Sequence, residues 1–144
     1  MPLSTYTIRT APVRLSKDNE FQVRAVTFPD LAMIVQTRLP EVVAILAKYQ
    51  ESRELGSPVK SVSEIAIMAA RDFPTMTSEI ISLCVHGEIV TEAMRETIQS
   101  LPFPIQLQAL ISIGQLTVEE AGGLGNLLAE FRQNMTAMGT PQTN

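Results

Sequence analysis

The chain has 144 residues, 45% of them hydrophobic and 18% charged, with no tryptophan and a formal net charge of −4 at pH 7. That suits one domain with enough apolar side chain for a core, and it excludes a disordered polyelectrolyte. Residues 1–60 hold eight Lys/Arg against six Asp/Glu (+2) and residues 61–144 three against nine (−6), so no cation cluster exists to displace counterions from nucleic acid.

The first quarter reads as β. "TYTIRT" and "VRL" are short alternating segments, "SKDNE" is a polar turn, and "FQVRAV" alternates again with Phe21, Val23 and Ala25 on one face. Two such runs around a turn predict an antiparallel hairpin, which is marginal alone and must pack on something. From Thr27 the period becomes helical. Thr27 with Asp30 forms a carboxylate variant of the capping box, Pro29 sits in the first turn, and Leu31, Ile34 and Val35 make an apolar face. Pro40 opens a second helix with Val42, Ile45, Leu46 and Tyr49 on one side, stopped by Gly56 and Pro58.

Ser61 and Glu64 form a second capping box before "IAIMAA", and Pro74 ends or kinks that helix. "TMTSEIISLCVHG" resumes with Ile80, Leu83 and Cys84 facing inward until Gly87, and the next stripe is Val90, Met94, Ile98 and Leu101. Beyond Pro102 and Pro104 a helix turns Leu107, Leu110 and Ile111 inward, and Thr117 with Glu120 reads as a third capping box. The last helix has the cleanest pattern: Leu124, Leu127, Leu128, Phe131, Met135 and Met138 at helical spacing, with Glu130, Arg132, Gln133 and Asn134 opposite. The expected fold is mostly α (α+β), an N-terminal β-hairpin followed by a compact bundle of six or seven short helices. Residues 1–26 would be the hairpin packed on the helical part, 27–138 the helical domain, and 139–144 a polar tail that frays.

Candidate chemistry is thin. Gly122, Gly123 and Gly125 precede the last helical pattern, but Leu128 stands where a dinucleotide fingerprint needs its third glycine, a helix comes before, and no lysine follows. A bend between helices accounts for them. Cys84 and His86 are the sole Cys and His. Two residues apart on a helix they point about 200° apart, and a metal site would need two further ligands. Cys84 reads as core and His86 as an exposed residue at a helix C-terminus. The single cysteine rules out an intrachain disulfide and suits a reducing compartment. "MPLSTYTIRTAPVRL" has no signal-peptide pattern, and the apolar runs "VVAILA" and "IAIMAA" are far shorter than the roughly 20 residues of a membrane span, so the expectation is a soluble intracellular chain. No nucleophile elbow or His-rich motif marks an enzyme, and no cofactor or metal is expected.

The last amphipathic stripe has two readings, core or docking surface. Met135 and Met138 continue it past Phe131, and methionine adapts to varied apolar partners. Leu127, Phe131, Met135 and Met138 are the candidate partner-binding residues, in the spacing a helix-in-groove contact uses.

The order of motifs resembles the tail assembly chaperones, or pre-tape measure proteins, of long-tailed bacteriophages. The resemblance rests on the helix start Thr27, Phe28, Asp30, Leu31 in "AVTFPDLAMIV" and on the middle helix ending in Phe73–Pro74. Its most specific block is "LPFPIQLQALISIGQLTVEEAGG", with Leu101, Pro102, Gln106, Leu110, Ile113, Leu116, Thr117, Glu120, Gly122 and Gly123. It spans about residues 21–131; Val118 stands where the family more often has an aromatic. The resemblance implies a non-catalytic assembly factor that binds the tape measure protein, keeps it soluble and extended in the host cell cytoplasm, and is absent from the mature virion. It also implies a second, longer product of ribosomal frameshifting in many members; whether this chain has one, and whether it self-associates, stays open. No nucleic-acid or membrane partner is expected. The alternative is a non-catalytic structural or regulatory module, a minor virion protein or adaptor, motivated by the hairpin and its slight basic bias.

Overall fold

A computed structural model describes residues 7–54 and 62–122, together with Asn126, Ala129 and Gln133. In chain order these hold β1 (Thr10–Ser16), β2 (Asn19–Arg24), α1 (Phe28–Thr37), α2 (Leu39–Glu54), α3 (Val62–Asp72), α4 (Pro74–Cys84), β3 (Val85–His86), α5 (Glu92–Gln99) and α6 (Phe103–Ala121). The fold is α+β, as the alternation followed by helical periodicity predicts.

The hairpin forms where expected. Val13 pairs with Phe21 and Thr10 with Arg24, and Lys17 and Asp18 make the turn between the paired Ser16 and Asn19. Neither turn residue has a positive φ, so the twist of a primed turn is missing, and the register slips between Arg14 and Ser16. Pro12 lies in the edge strand, where a missing N–H is tolerated. The sheet has a third strand that the periodicity did not predict: Val85 and His86 pair with Val23 and Gln22. They were expected to continue the α4 helix to Gly87. Two residues carry no pattern of their own, and their extended state comes from β2 offering its free edge. Gly87, at φ +89°, then turns the chain away in a conformation that favours glycine.

The helix starts are locally encoded. Thr27 accepts from the Asp30 N–H while the Asp30 carboxylate accepts from the Thr27 N–H, the reciprocal box read from sequence. Pro74 starts α4, and Thr91 caps α5 through the Met94 N–H. The third box is corrected. α6 runs unbroken from Phe103 to Ala121, so Thr117 lies within it and caps nothing. The buried Thr117 hydroxyl donates to the Ile113 carbonyl and accepts from the Val26 N–H, tying the hairpin's exit to α6. Gly122, at φ +82°, ends α6 in the left-handed conformation. Ser61, Gly123, Gly125 and residues 139–144 lie outside the described residues, as does the Tyr49 side chain.

Two apolar clusters share α4 and α6. The first lies against the sheet: Val13, Val23, Ile81, Cys84, Val85, Ile98, Ala109 and Ile113. The second joins Ile34, Val42, Ala66, Ala69, Ala70, Met76 and Leu110. Ile80 and Leu83 pack against both. Sheet and helices thus share a core. Cys84 is fully buried in it, and His86 is half-buried in β3, correcting its expected exposure at a helix end.

One buried hydroxyl is not satisfied. Thr77 on α4 has no exposed surface, and its Oγ1 has no hydrogen-bond partner. Thr77→Val keeps the shape and removes an orphan polar group, so stability should rise by about 1 kcal/mol. A fall in Tm on replacement would show the hydroxyl to be bonded in solution.

Candidate partner-binding surface

The four residues singled out from sequence, Leu127, Phe131, Met135 and Met138, lie outside the described residues. Asn126, Ala129 and Gln133, at spacings of three and four, are helical and exposed. The described surface carries a different apolar set, which follows from how each helix spends its hydrophobic residues.

In α1 the buried face is Leu31, Ile34 and Val35. Met33 falls between them and points outward at 51% exposure, and Phe28, in the first turn, is 67% exposed. In α2, Val42 is buried and Ile45 and Leu46 pack against the same cluster. Pro40, Val43 and Ala47, at the same helical spacing but offset, are all exposed. In α3, Ala66, Ala69 and Ala70 turn inward and Ile67 is 42% exposed. The signal was present in sequence as a surplus: once an inward stripe is assigned to each helix, Met33, Val43 and Ile67 are left over. Ile89, in the loop before α5, and Phe103, at the start of α6, are further exposed apolar side chains.

Ion pairs tie these helices to one another and to α4. Arg38, the non-helical residue between α1 and α2, donates from Nε to Glu79 Oε2 at 3.1 Å and from a second nitrogen to Oε1, and lies 3.9 Å from Glu41. Lys48 of α2 donates to Asp72 of α3 at 2.8 Å. Hydrogen bonds from Arg38 hold the Glu79 carboxyl below its usual range, and those from Lys48 and Arg71 do the same for Asp72.

A more buried pair closes the hairpin onto the helices. The Arg24 guanidinium donates to the Ala25 carbonyl at 2.9 Å, to Asp30 at 2.7 Å and to the Leu83 carbonyl at 2.8 Å. It therefore joins β2, the start of α1 and the last turn of α4, whose carbonyl would otherwise lack a partner. Burial alone would raise the Asp30 pKa, but the bonds from Arg24 and Thr27 hold it below the ordinary value. The Cys84 thiol is pushed up to about 12, first by burial and then by the Asp30 charge, which leaves it protonated and a poor nucleophile at neutral pH.

Among the described residues no three His, Cys, Asp or Glu side chains gather as a metal ion would require, and no single helix is long and apolar enough to cross a membrane. The hollow at the hairpin turn, lined by Arg14, Ser16, Lys17, Asp18, Asn19 and Glu20, mixes both charge signs. No curated protein and no solved structure matches the chain. The sequence pattern of one family, the pre-tape measure proteins, matches residues 1–144. The chain therefore belongs to the pre-tape measure protein family and is a phage tail-related protein linked to the tape measure protein.

Proposed function

We propose that the chain is a tail assembly chaperone. It binds the tape measure protein in the host cytoplasm, keeps that client soluble while the tail tube assembles around it, and leaves before the particle is complete. It acts by binding alone, with no chemical step. The observation that carries this reading is the set of large apolar side chains left facing solvent on three successive helices, Phe28 and Met33, Val43, and Ile67. Scattered exposed apolar residues are ordinary, but a surplus on consecutive helices suits a surface that is covered part of the time. Each anchor covered contributes about 1.5–3 kcal/mol before the costs of association. Several copies along one extended client would add avidity.

The test is co-expression with the tape measure protein, reading the client's soluble fraction. The wild-type chain should raise it. A Phe28→Gln, Met33→Gln, Ile67→Gln variant should lose most of that effect, with each change shifting the chaperone's own stability by no more than about 0.5 kcal/mol. No rise with wild type would sink the proposal. So would mass spectrometry finding the chain at structural stoichiometry in purified particles.

A further inference from the structure

We infer that Pro12 is a block on the open edge of the sheet, placed so that β1 cannot pair with β1 of a second copy of this chain. The inference stands apart from the chaperone reading, since it concerns the surface from which partners are kept off.

The direction of the missing donor follows from the register. β1 lies outermost in the order β1-β2-β3, and Pro12 is paired with Gln22. In an antiparallel ladder, opposite residues alternate between pairs that exchange both N–H···O bonds and pairs that exchange none. A proline cannot complete the first kind, so Pro12–Gln22 is of the second. The bonds to β2 run through Ala11–Val23 and Val13–Phe21 on either side. The backbone groups of Pro12 therefore point away from β2, as do those of Thr10 and Arg14. Gln22 shows the same alternation from its other edge: with no bonds to β1, it is paired with His86 of β3.

Without the proline this edge would suit a second copy. Among the described residues no strand lies beyond β1. Its inward side chains, Ala11 and Val13, belong to the core, and no inward charge repels a neighbouring strand. A two-fold antiparallel pairing centred on residue 12 sets Thr10 against Arg14 of the other copy, opposes no like charges, and joins the two sheets into one. In that pairing the two prolines meet at the centre. Both central donors are absent, and each ring occupies the space a hydrogen bond would cross. Sliding the register by two residues sets each Pro12 against Thr10 or Arg14, and a donor is still lost from each strand.

The remaining parts of the edges are closed by other means. The register slip between Arg14 and Ser16 shortens the usable length of β1. β3 has only Val85 and His86 before Gly87, at φ +89°, turns the chain away, and so short a strand holds no partner. With its sheet edges shut, the fold meets partners through its helices.

The test combines residue-resolved hydrogen exchange with sedimentation velocity, on the full chain over a range of protein concentrations. In wild type the Thr10 and Arg14 amides should exchange about ten-fold or more faster than those of Ala11 and Val13, whatever the concentration. Pro12→Thr restores the donor. Its sedimentation should move toward a dimer as concentration rises, while the amides at positions 10, 12 and 14 gain protection together. Adding Arg14→Pro to Pro12→Thr shifts the gap by two residues and should return wild-type sedimentation. Pro12→Ala restores the same donor without a β-branched side chain, and it replaces Pro12→Thr if that change disturbs the hairpin. Thr10 and Arg14 amides protected in wild type would mean that the edge is already covered, and the block is refuted. Restoring the donor with Ala11 and Val13 still protected, but with no association or with association that leaves positions 10 and 14 exchanging freely, overturns it equally.

Discussion

Replacing Arg24 with alanine is expected to cost about 2–4 kcal/mol, somewhat less than breaking a fully buried ion pair, because its side chain retains 20% exposure. The loss has three parts. The Leu83 carbonyl at the end of α4 loses its donor, as does the Ala25 carbonyl, and Asp30, 8% exposed, keeps its charge without the guanidinium opposite. Against a total stability of about 5–15 kcal/mol this is a large fraction. Urea unfolding at neutral pH should show a lower midpoint with an unchanged slope.

The pH dependence separates this account from simple loss of packing. The folded-state pKa of Asp30 is depressed, so its contribution is fully present above the unfolded value of about 3.9 and is lost as pH falls through the folded value. Without Arg24 the burial that raises the pKa is opposed only by the Thr27 bonds, so the depression shrinks. The gap between wild type and variant should therefore be widest near neutrality and narrow as the pH drops below about 4. A remainder should persist from the two carbonyls. A gap of constant size across that range would show that the carboxylate plays no part.

Which features were legible in the sequence follows from how far each depends on distant residues. The Thr27–Asp30 box involves three residues of separation, and it was read correctly. The Thr117–Glu120 pair has the same local grammar, yet the Thr117 hydroxyl is committed to the N–H of Val26, 91 positions away, and α6 continues through it. Strand β3 is invisible for a similar reason: Val85 and His86 are extended because Val23 and Gln22 lie beside them. Inward faces were read well where one stripe sufficed, as with Leu31, Ile34 and Val35. In α6 the expected Leu107, Leu110 and Ile111 describe one contact of a helix that faces two clusters, and Ala109, Ile113 and Leu116 are buried as well. The candidate partner residues in the amphipathic pattern of residues 124–138 lie outside the described residues, whereas Met33, Val43 and Ile67 stand out as an apolar excess only once the neighbours of each helix are known.

The same dependence on a distant neighbour governs Gly114 in α6. A mid-helix glycine costs about 1 kcal/mol relative to alanine, so on helix propensity alone Gly114→Ala should stabilise. Geometry predicts the opposite sign. A Cβ at Gly114 would lie 2.5 Å from Cγ1 of Val62, where the first turn of α3 crosses α6. Valine in a helix has one strongly preferred χ1, so the methyl cannot simply rotate away, and the helices must separate. Gly114→Ala should then lose about 1 kcal/mol net, and Gly114→Leu about 2–3 kcal/mol, as overpacking prises α3 from α6. The decisive measurement is a double-mutant cycle. In a Val62→Ala background the obstructing methyl is gone, so adding Gly114→Ala should stabilise by about 1 kcal/mol, giving a coupling of about 2 kcal/mol between the two sites. Additive effects would mean that Val62 yields freely and the glycine is there for some other reason. A coupling of that size would show that the first turn of α3 is seated against α6 through a close approach that only glycine permits at position 114.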